Sequence, residues 1–325
     1  MEAYAHGAAR MRIGSREVMD VKRGWTWALW GLGMLVLILD SPTALGGAAE
    51  GVELCLRTLI PGLFPFFVLS GMLAASLPGG GLALAGILGG YPVGARNAAE
   101  GYRNGQLSKE DAERMALLFN CPGPSFIFGV AGQMFTPGRT VLLWAVYLSS
   151  VAILWLLLPK SRCTTKGKTV TLTESMHNAL GAMACVCGWV VLMRTVLAVL
   201  DRWVLWLLPD WGQAALSGLL ELTNGTMMLG AVEENLRFVL ASGTLGFGGI
   251  CVSMQTMAVS RGLSMKRYFP GKIFQGCVCT ILSALLTGYA LPLYIVAPLA
   301  ALALACVLKL REIEKNYGNL RPVGV

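Results

Sequence analysis

Four short stretches of this mostly apolar chain carry the residues able to do chemistry. Gly89-Gly-Tyr-Pro-Val-Gly-Ala-Arg96 and Asn120-Cys-Pro-Gly-Pro-Ser125 lie in the first half, and Glu221-Leu-Thr-Asn-Gly-Thr226 and Ala241-Ser-Gly-Thr-Leu-Gly-Phe-Gly-Gly249 in the second. Glycine permits unusual backbone angles, while proline removes an amide donor and restricts the residue before it, so no helix runs unbroken through these stretches. A broken helix frees carbonyls and amides. In hydrocarbon such groups must be buried in protein or face a wet cavity, which makes a break a place to bind polar solutes. Pro92, Gly94, Pro122, Gly123, Pro124, Gly225, Gly246 and Gly248 would set that backbone, and Tyr91, Asn120, Ser125, Glu221, Thr223, Asn224 and Ser242 would line the cavity.

Helical spacing of Ala112, Met115, Ala116 and Phe119 after Ser108, with Asp111 three residues on, predicts a capped helix that must stop by Cys121, ahead of Pro122. The next half-helix is expected to start at Ser125, whose hydroxyl would cap it while its positive end faces an anion. A merely kinked helix is the plain alternative. Glu221 is the sole acid in Trp211–Val232. A carboxylate at such depth serves coupling to H⁺ or Na⁺ or pairs with a cation on the substrate, unless it is a structural partner of Arg194 or Arg57. If those arginines face the cavity they suit a carboxylate or phosphate, and if they lie at its boundary they snorkel to the interface. The glycines of Gly243–Gly249 lack the Lys-Ser or Lys-Thr of a nucleotide-binding loop and read as close helix packing.

The elements that position these residues follow from composition. Of 325 residues 55% are hydrophobic and 14% charged, and blocks such as Thr58–Ala95 and Ile273–Leu308 carry no charge at all. At about 20 residues per crossing, such blocks turn back inside a bilayer. The fold class expected is all-α: a polytopic membrane protein of about eight membrane segments. Nine cysteines lie almost wholly in apolar blocks and act as small hydrophobes, and two histidines give a metal hydrolase little to work with, so neither metal nor cofactor nor enzymatic activity is expected.

The net charge of +8 resides in clusters between apolar blocks, and therefore reads as topology and not as nucleic-acid binding. The N-terminal arm, Lys160/Arg162/Lys166/Lys168, Arg261/Lys266/Arg267/Lys272 and Lys309/Arg311/Lys315/Arg321 are placed in the cytoplasm, with both termini. The charge-balanced stretch Arg96–Arg114 is placed outside. This divides the chain into a basic arm (1–24), a first membrane helix (25–39), a first repeat with its closing helix (44–158), a basic loop (159–173), a second repeat (174–260), a loop and closing hairpin (261–308) and a tail (309–325). Because residues from about Ala44 to Arg139 start and end outside, Thr140–Leu158 returning inward, while residues from about Glu174 to Ser260 start and end inside, the two halves are inverted repeats with broken helices or re-entrant hairpins, as in secondary transporters.

The stretches Leu59-Ile-Pro-Gly-Leu-Phe-Pro-Phe-Phe67, Gly90–Ala95, Leu107–Glu113, Asn120–Ser125, Gly218–Gly225 and Gly246–Gly249 with Ser253 and Gln255 together resemble the sporulation integral membrane proteins of the YlbJ type, in the nucleoside-recognition or Gate-domain group. The resemblance covers about residues 50 to 275 and implies a spore-forming bacterium, the outer forespore membrane, and transport of dipicolinate, a planar dianion. The expected function is thus a permease for a small organic anion, with a non-transporting assembly factor for the spore cortex as the alternative. Its partners would be the lipid bilayer, the anion and a coupling H⁺ or Na⁺, with a homo-oligomer compatible and no nucleic acid.

Overall fold

The computed structural model describes residues 27, 30–76, 80–158 and 171–319. The basic arm 1–24, most of the basic loop 159–173 and Arg321 in the tail lie outside the described residues. Among those described, the secondary structure is helical throughout. After α1 (Trp30–Leu39) come α2 (Ser41–Leu54), a π-helical turn (Cys55–Leu59), α3 (Ile60–Ser76), α4 (Gly80–Gly89), α5 (Val93–Arg103), α6 (Lys109–Leu118), α7 (Pro124–Gly129) and α8 (Pro137–Leu157). The second half runs through α9 (Leu172–Trp203), α10 (Asp210–Leu220), α11 (Leu222–Met228), α12 (Glu234–Phe247), α13 (Gly249–Val259), α14 (Tyr268–Thr287) and α15 (Leu293–Asn319).

The order of elements repeats. A long helix (α2–α3, then α9) is followed by a broken pair (α4–α5, then α10–α11), a second broken pair (α6–α7, then α12–α13) and a closing helix (α8, then α14). In each half the first pair folds back on itself as a hairpin, held by glycines. A Cβ on Gly86 would lie 3.1 Å from the Cα of Gly94, and one on Gly225 would lie 2.1 Å from the Cα of Gly218. Only small residues let backbones approach so closely. Six helical segments are long and apolar enough to cross a membrane among the described residues. Helix α1 is a shorter apolar helix beside these six, where about eight segments were expected. The chain is an all-α polytopic membrane protein.

Polar contacts gather at two ends of the bundle. At one, Asp40 accepts from the Trp203 indole (2.9 Å) and pairs with Arg202 (3.2 Å), while Arg139 pairs with Glu234 (3.1 Å). The Trp203 and Thr43 side chains hold the Asp40 carboxyl below its ordinary range. At the other end Glu113 pairs with Arg267 (2.7 Å), which also reaches Glu314 (2.9 Å), and Glu314 takes Arg114 (2.5 Å). This second cluster corrects the placement of Arg96–Arg114 on the face opposite the basic clusters: its Glu113 and Arg114 touch Arg267 and the start of the tail, so the three share one end. A charge-balanced stretch carries no sidedness signal, because the positive-inside rule counts a surplus of Lys and Arg.

Candidate functional site

The predicted breaks of the two halves come together. Helix α4 ends at Gly89, Gly90 takes φ +78°, the Tyr91–Pro92 bond is cis, and α5 resumes at Val93. Helix α6, capped by Ser108 accepting from the amide of Asp111 (3.1 Å), ends at Leu118, a turn before Cys121. Gly90 lies against Gly123: a Cβ on the former would stand 3.1 Å from the latter's amide nitrogen. A Cβ on Gly94 would be 2.1 Å from the Phe119 carbonyl oxygen, so the residue there has to be glycine. In the second half Gly248 and Gly249, at φ +84° and +80°, divide α12 from α13, and a Cβ on Gly249 would lie 3.2 Å from the Gly218 carbonyl. Tyr91 bridges the halves by donating its hydroxyl to the Leu245 carbonyl (3.3 Å).

Where these breaks meet lies a cavity of about 50 Å³, lined among others by Leu59, Tyr91, Gly123, Glu221, Thr223 and Gln255. That is room for a water or two, far below the few hundred Å³ of an ordinary ligand pocket. A second pocket of about 430 Å³ opens between α2, α9, α10 and α11, with Glu50, Arg194, Asp201, Arg202 and Ser217 in its wall. Glu221 lines the small cavity, and its amide donates to the carbonyl of Ser217 (2.7 Å), a residue of the larger pocket's wall.

Glu221 is buried and is the N-cap of α11, its carboxylate accepting from the amides of Thr223 (3.0 Å) and Asn224 (2.7 Å). The ion pairs left open by the sequence go elsewhere. Arg194 pairs with Glu50 across the larger pocket, and Arg57 pairs with Glu53 (3.1 Å). Arg57 is also corrected as a cavity residue: its side chain is 79% exposed, on the outer surface of the π-helical turn. The i,i+4 spacing to Glu53 explains why it needs no deeper partner. Ser125 is a further correction. Helix α7 starts at Pro124 with Gly123 as N-cap, so Ser125 falls inside the first turn and caps nothing; its buried hydroxyl has no partner. Proline is favoured at that first position because its missing donor would be unpaired there anyway.

Asn120 is brought to the site but is fully engaged. Its side chain donates to Thr256 Oγ1 (2.8 Å) and the Tyr268 hydroxyl (3.0 Å) and accepts from the Ala95 amide (3.4 Å). It ties the break of the first half to α13 and α14 and leaves no donor for a solute. Thr223 lines the cavity, whereas Ser242 sits within α12, where its hydroxyl, like the Asn224 side-chain amide, is buried without a partner. Gly246 packs on α14, a Cβ there meeting the Gln275 carbonyl at 2.7 Å. Pro122 borders the small cavity.

Lys272 was placed with the cytoplasmic basic cluster, and the structure overturns this. It lies more than a turn inside α14 and is fully buried, its ammonium donating to the Asn120 carbonyl (2.8 Å) and the Tyr147 hydroxyl (3.1 Å). The rings of Tyr91, Tyr147 and Tyr268 surround it at 5.3, 5.7 and 5.8 Å from their centroids. Tyr147 meets the ammonium through its hydroxyl, while the desolvated contacts with Tyr91 and Tyr268 contribute on the order of 2 kcal/mol each, which offsets part of the cost of burying the charge. The available signal was its distance from the helix start: Arg267 ends the loop, and Lys272 follows Tyr268-Phe-Pro-Gly within an apolar helix.

No protein-family model matches the chain, and no solved structure gives a significant match. The chain is similar to a protein of Bacillus subtilis (strain 168) named sporulation integral membrane protein YlbJ, at 23% identity over 322 aligned positions covering 77% of this chain and 79% of that one. The likeness extends over most of both chains and supports the YlbJ-type resemblance carried by the motifs.

Proposed function

We propose that the chain is a proton-coupled permease for a small organic anion, acting during spore formation, with dipicolinate as the first candidate. The observation that carries this reading is Glu221, a buried carboxylate that caps a broken helix and lines the small cavity where the breaks of both halves meet, one turn along from Ser217 in the wall of a charged 430 Å³ pocket. Broken helices that meet at a polar centre are the hallmark of secondary transporters, and a buried acid there is the natural carrier of a coupling proton. The kinship with a sporulation membrane protein points to the process, and the family resemblance to the solute.

Among the residues lining the small cavity Glu221 is the one carboxylic acid, and none is a lysine or an arginine. A dianion beside an ionised Glu221 is repelled. Protonation removes that charge and weakens the two hydrogen bonds from the Thr223 and Asn224 amides that hold the tip of the α10–α11 hairpin, so proton and anion enter together. In this reading the halves α2–α8 and α9–α14 are inverted repeats rocking about the breaks, with both termini cytoplasmic and the outer forespore membrane as location. The cavity described is then the closed state, and Arg194 receives the anion in the larger pocket.

A non-transporting assembly factor is the competing reading, favoured by α15, whose apolar window is only 11% buried and stands ready for lipid or a partner. Purified protein in liposomes decides between them. Dipicolinate uptake that exceeds protein-free vesicles supports the permease; no uptake, with a stoichiometric co-purifying partner, supports the assembly factor.

A further inference from the structure

The surroundings of Lys272 form a receptor and not merely a packing site. A main-chain carbonyl freed by a helix break, a phenol oxygen and the two further tyrosine rings of Tyr91 and Tyr268 are the groups that bind an ammonium or a monovalent cation. They come from four separate segments: Tyr91 from the first break, the Asn120 carbonyl from the second, Tyr147 from α8, and Tyr268 from α14. Among the described residues no carboxylate pairs with the ammonium, so the charge is balanced by dipoles and ring faces alone. An aliphatic side chain would fill the same space without using the carbonyl, and the Asn120 side chain, occupied by Ala95, Thr256 and Tyr268, offers it no other donor.

We propose that this cage is a site for an ammonium-class cation occupied by the chain's own Lys272. The protein thus carries internally the cation that other broken-helix membrane proteins bind from solution, and uses it to lock the break at Asn120 to α8 and α14 without Na⁺ or K⁺. The inference goes beyond the transport reading and holds or fails on the purified protein whether or not it moves a solute.

Truncation at Cβ supplies the test, because Lys272→Ala removes a fragment with the shape of propylammonium. The full chain is purified in detergent, and thermal unfolding is followed with propylammonium, tetramethylammonium or sodium chloride at equal ionic strength. The expected result is that Lys272→Ala melts several degrees below wild type and that propylammonium restores most of the loss saturably. Tetramethylammonium, too bulky and without donors, restores none, and wild type responds to none of the salts. Should the variant yield no folded protein, propylammonium present from extraction onward is expected to recover a cooperatively melting species. Lack of any propylammonium effect on the variant, including failure to recover it, overturns the proposal, as does an equal response by wild type.

Discussion

Replacing Asn120 with alanine removes both side-chain donors that fasten the first-half break to α13 and α14. The lost bonds, to Thr256 at 2.8 Å and Tyr268 at 3.0 Å, are neutral and buried, and each contributes about 1 kcal/mol net. Few orphans remain afterwards. Thr256 still donates to the Val252 carbonyl (2.8 Å), its hydroxyl and that of Tyr268 remain mutual partners (3.2 Å), and Lys272 keeps the Asn120 carbonyl, which alanine retains. The Ala95 amide loses a weak acceptor at 3.4 Å. With the void left by the amide, the sum is about 2–3 kcal/mol. Unfolding of purified Asn120→Ala, Thr256→Val and the double variant in detergent isolates the shared bond, with a coupling of about 1 kcal/mol expected. Additivity to within about 0.4 kcal/mol would mean that the two side chains do not interact, and the account of Asn120 as a fastening would fall.

Further outcomes follow from the same geometry. Gly94→Ala and Gly225→Ala each drive a methyl to 2.1 Å from backbone atoms and are expected to cost about 3 kcal/mol or more, seen as loss of monodisperse protein. Gly188→Ala, with open space at its Cβ, serves as the tolerated control. Arg57→Ala should leave uptake unchanged because its side chain is outward, whereas Arg194→Ala, which opens the pair with Glu50 in the larger pocket, should raise the substrate concentration needed for half-maximal uptake. Glu233 caps α12, and the amides of Asn235 and Leu236 hold its carboxyl below the usual range. A folded value below the unfolded one means stability that is full above the ordinary carboxylate range and lost as pH falls through the folded value, so the melting deficit of Glu233→Gln should be present at pH of about 7 and vanish well below about 4.

Proline and glycine made the breaks legible in sequence, because their effect on the backbone is local: α4 stops at Gly89, and α6 stops before Cys121-Pro122. The Ser108 cap was legible for the same reason. What escaped were facts set by long-range packing. Whether Arg194 meets Glu221 or Glu50 depends on how α2 lies against α9, which no spacing encodes. Charge spacing along the chain groups Lys272 with Arg261, Lys266 and Arg267, while its burial depends on where α14 begins. Serine favours a cap position, which points to Ser125, but Pro124 occupies the first helical position and moves the cap to Gly123.

Accumulation of dipicolinate by proteoliposomes under an imposed proton gradient, compared between wild type and Glu221→Gln, reads out whether Glu221 couples proton and anion. Wild type should accumulate the anion when the outside is acidic and lose that drive when the gradient is collapsed. Glutamine holds the neutral state permanently, so the variant should equilibrate dipicolinate without concentrating it, at a rate indifferent to pH. Accumulation by Glu221→Gln equal to that of wild type, or no uptake by wild type at any gradient, would contradict the account.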